Sequence, residues 1–334
     1  MSQHAGLSRR TIIRGGTGLA VAGAAVGLGA TPAGAATNGH GLSIADTNEH
    51  KNPGRLRYYK FRTAAIGGLT PGVNVLLPDG YETSGKRYPV MYLLHGGVQN
   101  FTKFHLEDDI IRATAHKDLI VVMPDGGIAG WYSNPVSSQV GKRDWETFHI
   151  SQLIPWIDAN FRTYAEYNGR AVSGFSMGGF GALKYAAKYY GHFASVSSHS
   201  GPASLRRDSG IVAHWANLSS AVAELGGGTL YGVPGWNQAK VTADNPVERI
   251  ESYRNKRVFL AAGLNPDALH FPGFTIPGAN PTEAHVLAGQ REFRAALDRA
   301  GIRHESHELA GGHFVRPSML RADIDGAIGR LRKA

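Results

Sequence analysis

The chain has 334 residues with 42% hydrophobic and 18% charged side chains, the balance of a folded protein with ample core material rather than a disordered one. It contains no cysteine, which excludes disulfides, thiolate nucleophiles and cysteine-ligated metals. Its formal charge of +9 is spread over single basic residues and short pairs such as Lys142-Arg143 and Arg206-Arg207, without the dense clusters that track phosphates, so no nucleic-acid partner is expected.

The first 36 residues read as an export signal. Arg9-Arg10 precede a mild apolar run from Gly18 to Ala30, and Ala33-Gly34-Ala35-Ala36 offers the small residues a signal peptidase needs. The paired arginines resemble a twin-arginine signal. Their removal with Arg14 lowers the charge to +6 and leaves residues 37–334 as one domain, secreted or held in the cell envelope, with no stable membrane span. Thr37 to Arg55 is polar and reads as a surface leader.

Order is expected from Leu56 to Arg62 and Val73 to Pro78, an antiparallel opening pair closed by the turn Pro78-Asp79-Gly80. Tyr88 to Leu94 and Leu119 to Met123 are near-continuous apolar runs of the kind covered on both faces, with a helical stretch around Asp108 to His116 between them. Trp145 to Phe161 has helical apolar spacing, Ala171 to Phe175 is a short strand, Gly178 to Tyr190 a helix and Phe193 to Ser198 a further strand. From about 202 to 255 the rhythm relaxes into a cap-like insertion holding Trp215, Tyr231 and Trp236. It resumes with strand Arg257 to Ala262, helix Ala284 to Ala300, strand Ser306 to Leu309 and helix Pro317 to Leu331. The pattern is an α/β fold with a mostly parallel central sheet and helices on both faces.

Chemistry concentrates at Gly174-Phe175-Ser176-Met177-Gly178-Gly179, between a strand and a helix. A serine at such a turn is forced into a strained backbone, its hydroxyl projects from the end of the sheet, and the first N–H groups of the helix face whatever oxygen lies beside it. With 44 glycines the pattern alone carries limited weight, and a serine hydroxyl also needs a base. Of the 15 histidines, His313 in Gly311-Gly312-His313-Phe314 is best placed, in a loop after the last strand. His95 is its one rival, but beside Gly96-Gly97 at the end of a central strand it suits an oxyanion loop, with the Gly97 and Met177 N–H groups as donors. The acid that orients the histidine belongs after the strand ending near Ala262. Asp267 and Glu283 both qualify, and position slightly favours Asp267. Trp131 and Tyr132 are candidates for the substrate pocket. No H-E-x-x-H or nucleotide loop occurs, so neither metal nor cofactor is expected.

From about Gly72 to Leu320 the chain resembles the esterase D and mycolyltransferase branch of the α/β hydrolases. The resemblance is carried by Tyr88 to Gly97, Met123-Pro124-Asp125-Gly126-Gly127, Trp145-Glu146-Thr147-Phe148 with Leu153-Ile154-Pro155-Trp156-Ile157, and Gly174 to Gly179, in that order. In the mycolyltransferases the acid is a glutamate that starts the helix before the last strand, with a phenylalanine ten positions on. Glu283 with Phe293 fits that pattern, and the resemblance therefore implies Glu283, whereas esterase D relatives use an aspartate nearer the strand, the place of Asp267. The resemblance also implies Gly97 and Met177 as oxyanion donors. Phe314-Val315-Arg316-Pro317 departs from the Ser-Trp-Pro type of sequence that follows the mycolyltransferase histidine, and the loop Gly97 to Phe101 lacks that family's arginine and aspartate. A secreted serine carboxylesterase acting on a small, lipid or sugar ester is thus expected first, an acyltransferase second and a non-catalytic cell-wall binding protein third.

Overall fold

The computed structural model describes residues 35–51, 54–232, 237–267, 269 and 280–333. Residues 1–34 of the expected signal, Trp236, and the segment 270–279 that follows Asp267 lie outside them.

The strands are β1 (Ser43–Thr47), β2 (Leu56–Arg62), β3 (Gly72–Leu76), β4 (Val90–Leu94), β5 (Ile120–Pro124), β6 (Arg170–Phe175), β7 (Ser195–His199), β8 (Arg257–Gly263) and β9 (Glu305–Leu309). They form one sheet in the order β1-β2-β3-β5-β4-β6-β7-β8-β9. The first three pairings, β1 with β2, β2 with β3 and β3 with β5, are antiparallel, and every later pairing is parallel. The helices are α1 (Lys103–Leu106), α2 (Ile110–Ala113), α3 (Ile154–Asn160), α4 (Met177–Lys188), α5 (Arg207–Ala223), α6 (Gln238–Asp244), α7 (Glu283–Arg299) and α8 (Pro317–Arg330).

Strand periodicity explains the layering. Successive side chains of β4 point to opposite faces, so Val90, Tyr92 and Leu94 enter the larger apolar cluster with residues of α3, α4 and α7, while Met91 and Leu93 join the smaller one with Phe104, Ile110 and Ile324. β5 alternates the same way, Ile120 and Val122 against Val121 and Met123. Burial on both faces is why these strands read as unbroken apolar runs. The mostly parallel sheet with helices on both faces is the α/β architecture expected. β4 lies between β5 and β6, where the strand order reverses, and the crevice at the carboxyl ends of β4 and β6 is the natural place for a ligand.

Three elements differ from the sequence expectation. The leader contributes β1, paired with β2 at the sheet edge; an edge strand with one solvated face needs few apolar residues, and Ser43–Thr47 supplies two, Ile44 and Ala45. The stretch around Asp108 to His116 holds a single short helix, α2, with α1 before it, and Asp109 at φ 52° interrupts the path between them. The Trp145 to Phe161 helix runs as a wide π turn over Thr147–Leu153, closed by the Ile154 N–H on His149 O, before α3 begins with Pro155 in its first turn, where a missing N–H is tolerated.

The segment from 202 to 255 carries α5, α6 and a 3-10 stretch, Pro246–Tyr253. A buried ionic cluster ties it to α4: Lys184 Nζ donates to Tyr132 O (2.5 Å), Ser133 Oγ (2.6 Å) and Glu146 Oε2 (3.0 Å), and Lys188 Nζ to Asp244 Oδ1 (3.1 Å). Breaking such a cluster on one side would strand a buried charge. Among the described residues no helix is long and apolar enough to cross a membrane.

Candidate active site

Ser176 connects β6 to α4 at φ 55° and ψ −119°, a backbone state that a residue with a side chain rarely adopts. The surrounding glycines are steric requirements. A Cβ on Gly174 would fall 2.3 Å from Gly178 O, and one on Gly178 would fall 2.1 Å from Leu94 O. The turn is pinned by the Ser176 N–H, which donates to His199 O (2.9 Å) at the end of β7. Met177 is the first residue of α4, so its N–H is one of the four that a helix leaves without an internal acceptor.

His313 lies in the loop between β9 and α8. The Ser176 hydroxyl donates to its Nε2 (2.7 Å), and its Nδ1 donates to Glu283 Oε2 (2.6 Å). A carboxylate can only accept, which assigns the proton to Nδ1 and leaves Nε2 as the acceptor for the serine proton. Glu283 opens α7 and is fully buried; its Oε1 accepts from Ser200 Oγ (2.7 Å) and from Gly263 N–H (2.6 Å). Asp267 is exposed at the edge of the same cavity, its carboxylate packed so close to Gly312 that a Cβ there would lie 1.5 Å from Oδ2. Its backbone carbonyl, rather than its carboxylate, meets the acid helix, accepting Glu283 N–H (2.8 Å). The Arg316 guanidinium braces the histidine loop, donating to Ala310 O (3.0 Å), Gly312 O (3.2 Å) and Phe314 O (3.3 Å).

The loop after β4 supplies the opposite wall. His95 is buried, and burial holds its imidazole below the ordinary value, so the ring is neutral. Gly126 N–H donates to Nε2 (2.8 Å), which leaves Nδ1–H to donate to Gly96 O (2.7 Å). That bond fixes the plane of the Gly96–Gly97 peptide, and with it the direction of the Gly97 N–H. Gly97, Ser176, Met177 and His313 all border one cavity of about 400 Å³.

The rest of that cavity is mainly apolar, with Trp131, Trp215, Ile128, Val98, Leu269 and Phe314 among its walls. Trp131 Nε1 donates to Ser219 Oγ (3.1 Å) on α5, so the insertion forms one side. Tyr132 does not line it. Trp131 and Tyr132 sit at φ 49° and 54°, and the turn sends Tyr132 into the core, where its hydroxyl donates to His95 O (2.8 Å). Tyr231 is likewise buried. A larger groove of about 750 Å³, bordered by Arg257, Arg303 and Arg330, lies at the other ends of β8 and β9, and no serine lines it. Ser200 and Arg316 were not singled out as site residues by the sequence. Ser200 meets Glu283 from 83 residues away, a pairing no local pattern announces, whereas Arg316 bonds carbonyls of its own loop, whose path the sequence does not give.

The chain matches the family described as "Putative esterase" over residues 65–329. It is 67% identical over 300 residues to Esterase Rv1288 of Mycobacterium tuberculosis, an alignment covering 89% of this chain and 64% of that protein. The chain thus spans under two thirds of that relative's length. It is 32% identical over 125 residues to a diacylglycerol acyltransferase/mycolyltransferase, Ag85B, of Mycobacterium leprae, covering 35% of this chain and 38% of that one. Among solved structures, an S-formylglutathione hydrolase from Agrobacterium tumefaciens superposes with a TM-score of 0.65 at 16% identity, covering 87% of this chain and all of the other. That likeness concerns the fold, an α/β hydrolase.

Proposed function

The chain belongs to the "Putative esterase" family of α/β hydrolases, and from that premise we propose that it is a serine carboxylesterase with Ser176 as nucleophile, His313 as base and Glu283 as the orienting acid. The observation that carries this reading is the unbroken hydrogen-bond chain from Ser176 Oγ through His313 to the buried Glu283 carboxylate. Ser176 Oγ attacks the ester carbonyl while His313 Nε2 takes its proton, and Glu283 stabilises the imidazolium. The carbonyl oxygen, now negative, is held by the Gly97 and Met177 N–H groups. Collapse breaks the bond to the alcohol, which leaves with the proton from His313. Water, deprotonated by the same imidazole, then frees the acid and regenerates Ser176.

The cavity, about 400 Å³ and walled by Trp131 and Trp215, lies toward the small end of ligand sites and favours a short or aryl acyl group. Export to the envelope is the proposed setting, on the strength of Arg9-Arg10 and the run Gly18 to Ala30. Cell fractionation and N-terminal sequencing of the mature protein test it; a cytoplasmic protein retaining Arg9-Arg10 contradicts it. The activity is tested with p-nitrophenyl esters from acetate to palmitate, beside Ser176→Ala. Turnover should be greatest on short chains and disappear in the variant, and no turnover on any ester would overturn the reading. Glycerol or trehalose added as acceptor distinguishes hydrolysis from transfer: acyl-acceptor as the main product would make the protein an acyltransferase.

A further inference from the structure

The end of β7 touches both ends of the hydrogen-bond chain. The His199 carbonyl accepts the Ser176 N–H (2.9 Å), and the next residue, Ser200, donates its hydroxyl to Glu283 Oε1 (2.7 Å), the oxygen that His313 does not use. Ser200 is 1% exposed and adopts φ 48°, in the left-handed region where glycine is at ease and a serine is not. Its own N–H donates to Ala261 O (2.7 Å), so β8 holds the turn whether or not the hydroxyl is present. A backbone that would accept glycine therefore keeps a hydroxyl, and that hydroxyl is directed at a buried carboxylate.

We propose that Ser200 is a positioning residue for Glu283: with the Gly263 N–H it clamps Oε1, setting the carboxylate plane so that Oε2 faces His313 Nδ1. This rests on Glu283 being the triad acid. The terminal torsion of a glutamate is broad and weakly restrained, so a buried carboxylate needs two fixed donors on one oxygen to present the other in a single direction. Removing Ser200 leaves the Gly263 donor (2.6 Å) in place, which makes the expected loss partial.

The test is a double-mutant cycle in the full chain, with Ser200→Gly, Glu283→Gln and the pair, read by kcat and KM on p-nitrophenyl acetate and by thermal unfolding. Ser200→Gly should melt at or above the parent temperature, because glycine suits the backbone, yet lose about tenfold in kcat with KM within about twofold. In the Glu283→Gln background the same substitution should change kcat by less than about twofold, since nothing is left to position. Ser200→Ala, which makes the backbone demand of serine without the hydroxyl, should show the same non-additivity if Ser200→Gly folds poorly. Unchanged kcat in Ser200→Gly, or a tenfold loss that persists on Glu283→Gln, would overturn the proposal. Full activity in Glu283→Gln alone would instead overturn the assignment of the acid, and this proposal with it.

Discussion

Glu283 Oε2 lies 2.6 Å from His313 Nδ1, although α7 and β9 separate the two residues along the chain. Both follow strands at one edge of the sheet, β8 for Glu283 and β9 for His313, and the parallel pairing of those strands brings their carboxyl ends together. Ser176 arrives from β6 by the same rule.

Of the two carboxylates near His313, only the buried one is bonded to it. Glu283→Gln would place an amide beside Nδ1, favouring the tautomer with its proton on Nε2, which cannot accept from Ser176. A fall in kcat of about 10³-fold or more is expected on p-nitrophenyl acetate. Asp267→Asn should stay within about threefold. Steady-state kinetics with the reverse ranking would move the acid to Asp267.

Trp215 closes the cavity from α5 and is 5% exposed. Trp215→Ala should lengthen the accepted acyl chain, raising kcat/KM for octanoate relative to acetate several-fold, at a stability cost of about 3 kcal/mol. An ester series and urea unfolding of the variant check both parts. An unchanged chain-length profile would remove Trp215 from the acyl wall.

Acid should destabilise the protein through His149. Burial, reinforced by His95 and Lys184, pushes its imidazole down to about 3. The unfolded chain takes up a proton near 6.5, as an ordinary histidine does, while the folded one does not. Stability from this group is therefore complete above about 6.5 and declines as pH falls toward 3, by up to about 1.4 kcal/mol per pH unit. Urea midpoints between pH 7 and 4 should fall more steeply for the parent than for His149→Gln, even though the variant starts lower because it loses the Tyr185 or Asp125 contact.

The turn at Ser176 has no room for a methyl group. Gly178→Ala would set a Cβ 2.1 Å from Leu94 O and 2.6 Å from His95 O, both backbone atoms that cannot swing aside. A loss of more than about 3 kcal/mol of stability is expected, with ester turnover falling in parallel. A variant with parental melting temperature and kcat would refute that steric account.

Much of this arrangement was legible because its signals are local. β4 and β5 announce themselves by apolar runs, and the Gly174 to Gly179 turn by the residues it demands. The choice between Asp267 and Glu283 was not legible from position, since both follow β8; burial separates them, together with the donors at Ser200 and Gly263. Trp131 and Tyr132 look equivalent in sequence, yet two consecutive positive φ angles send one to the cavity and the other to the core. β1 escaped notice because an edge strand is held by its backbone and needs little apolar content.

The most direct test of Ser176 as nucleophile is peptide-mapped mass spectrometry after exposure to a p-nitrophenyl alkylphosphonate, which forms a stable adduct with an activated serine. The expected result is one adduct per chain, on the peptide containing Ser176, formed as ester turnover disappears and absent from Ser176→Ala. Stoichiometric labelling at another residue, or parental ester turnover by Ser176→Ala, would contradict it.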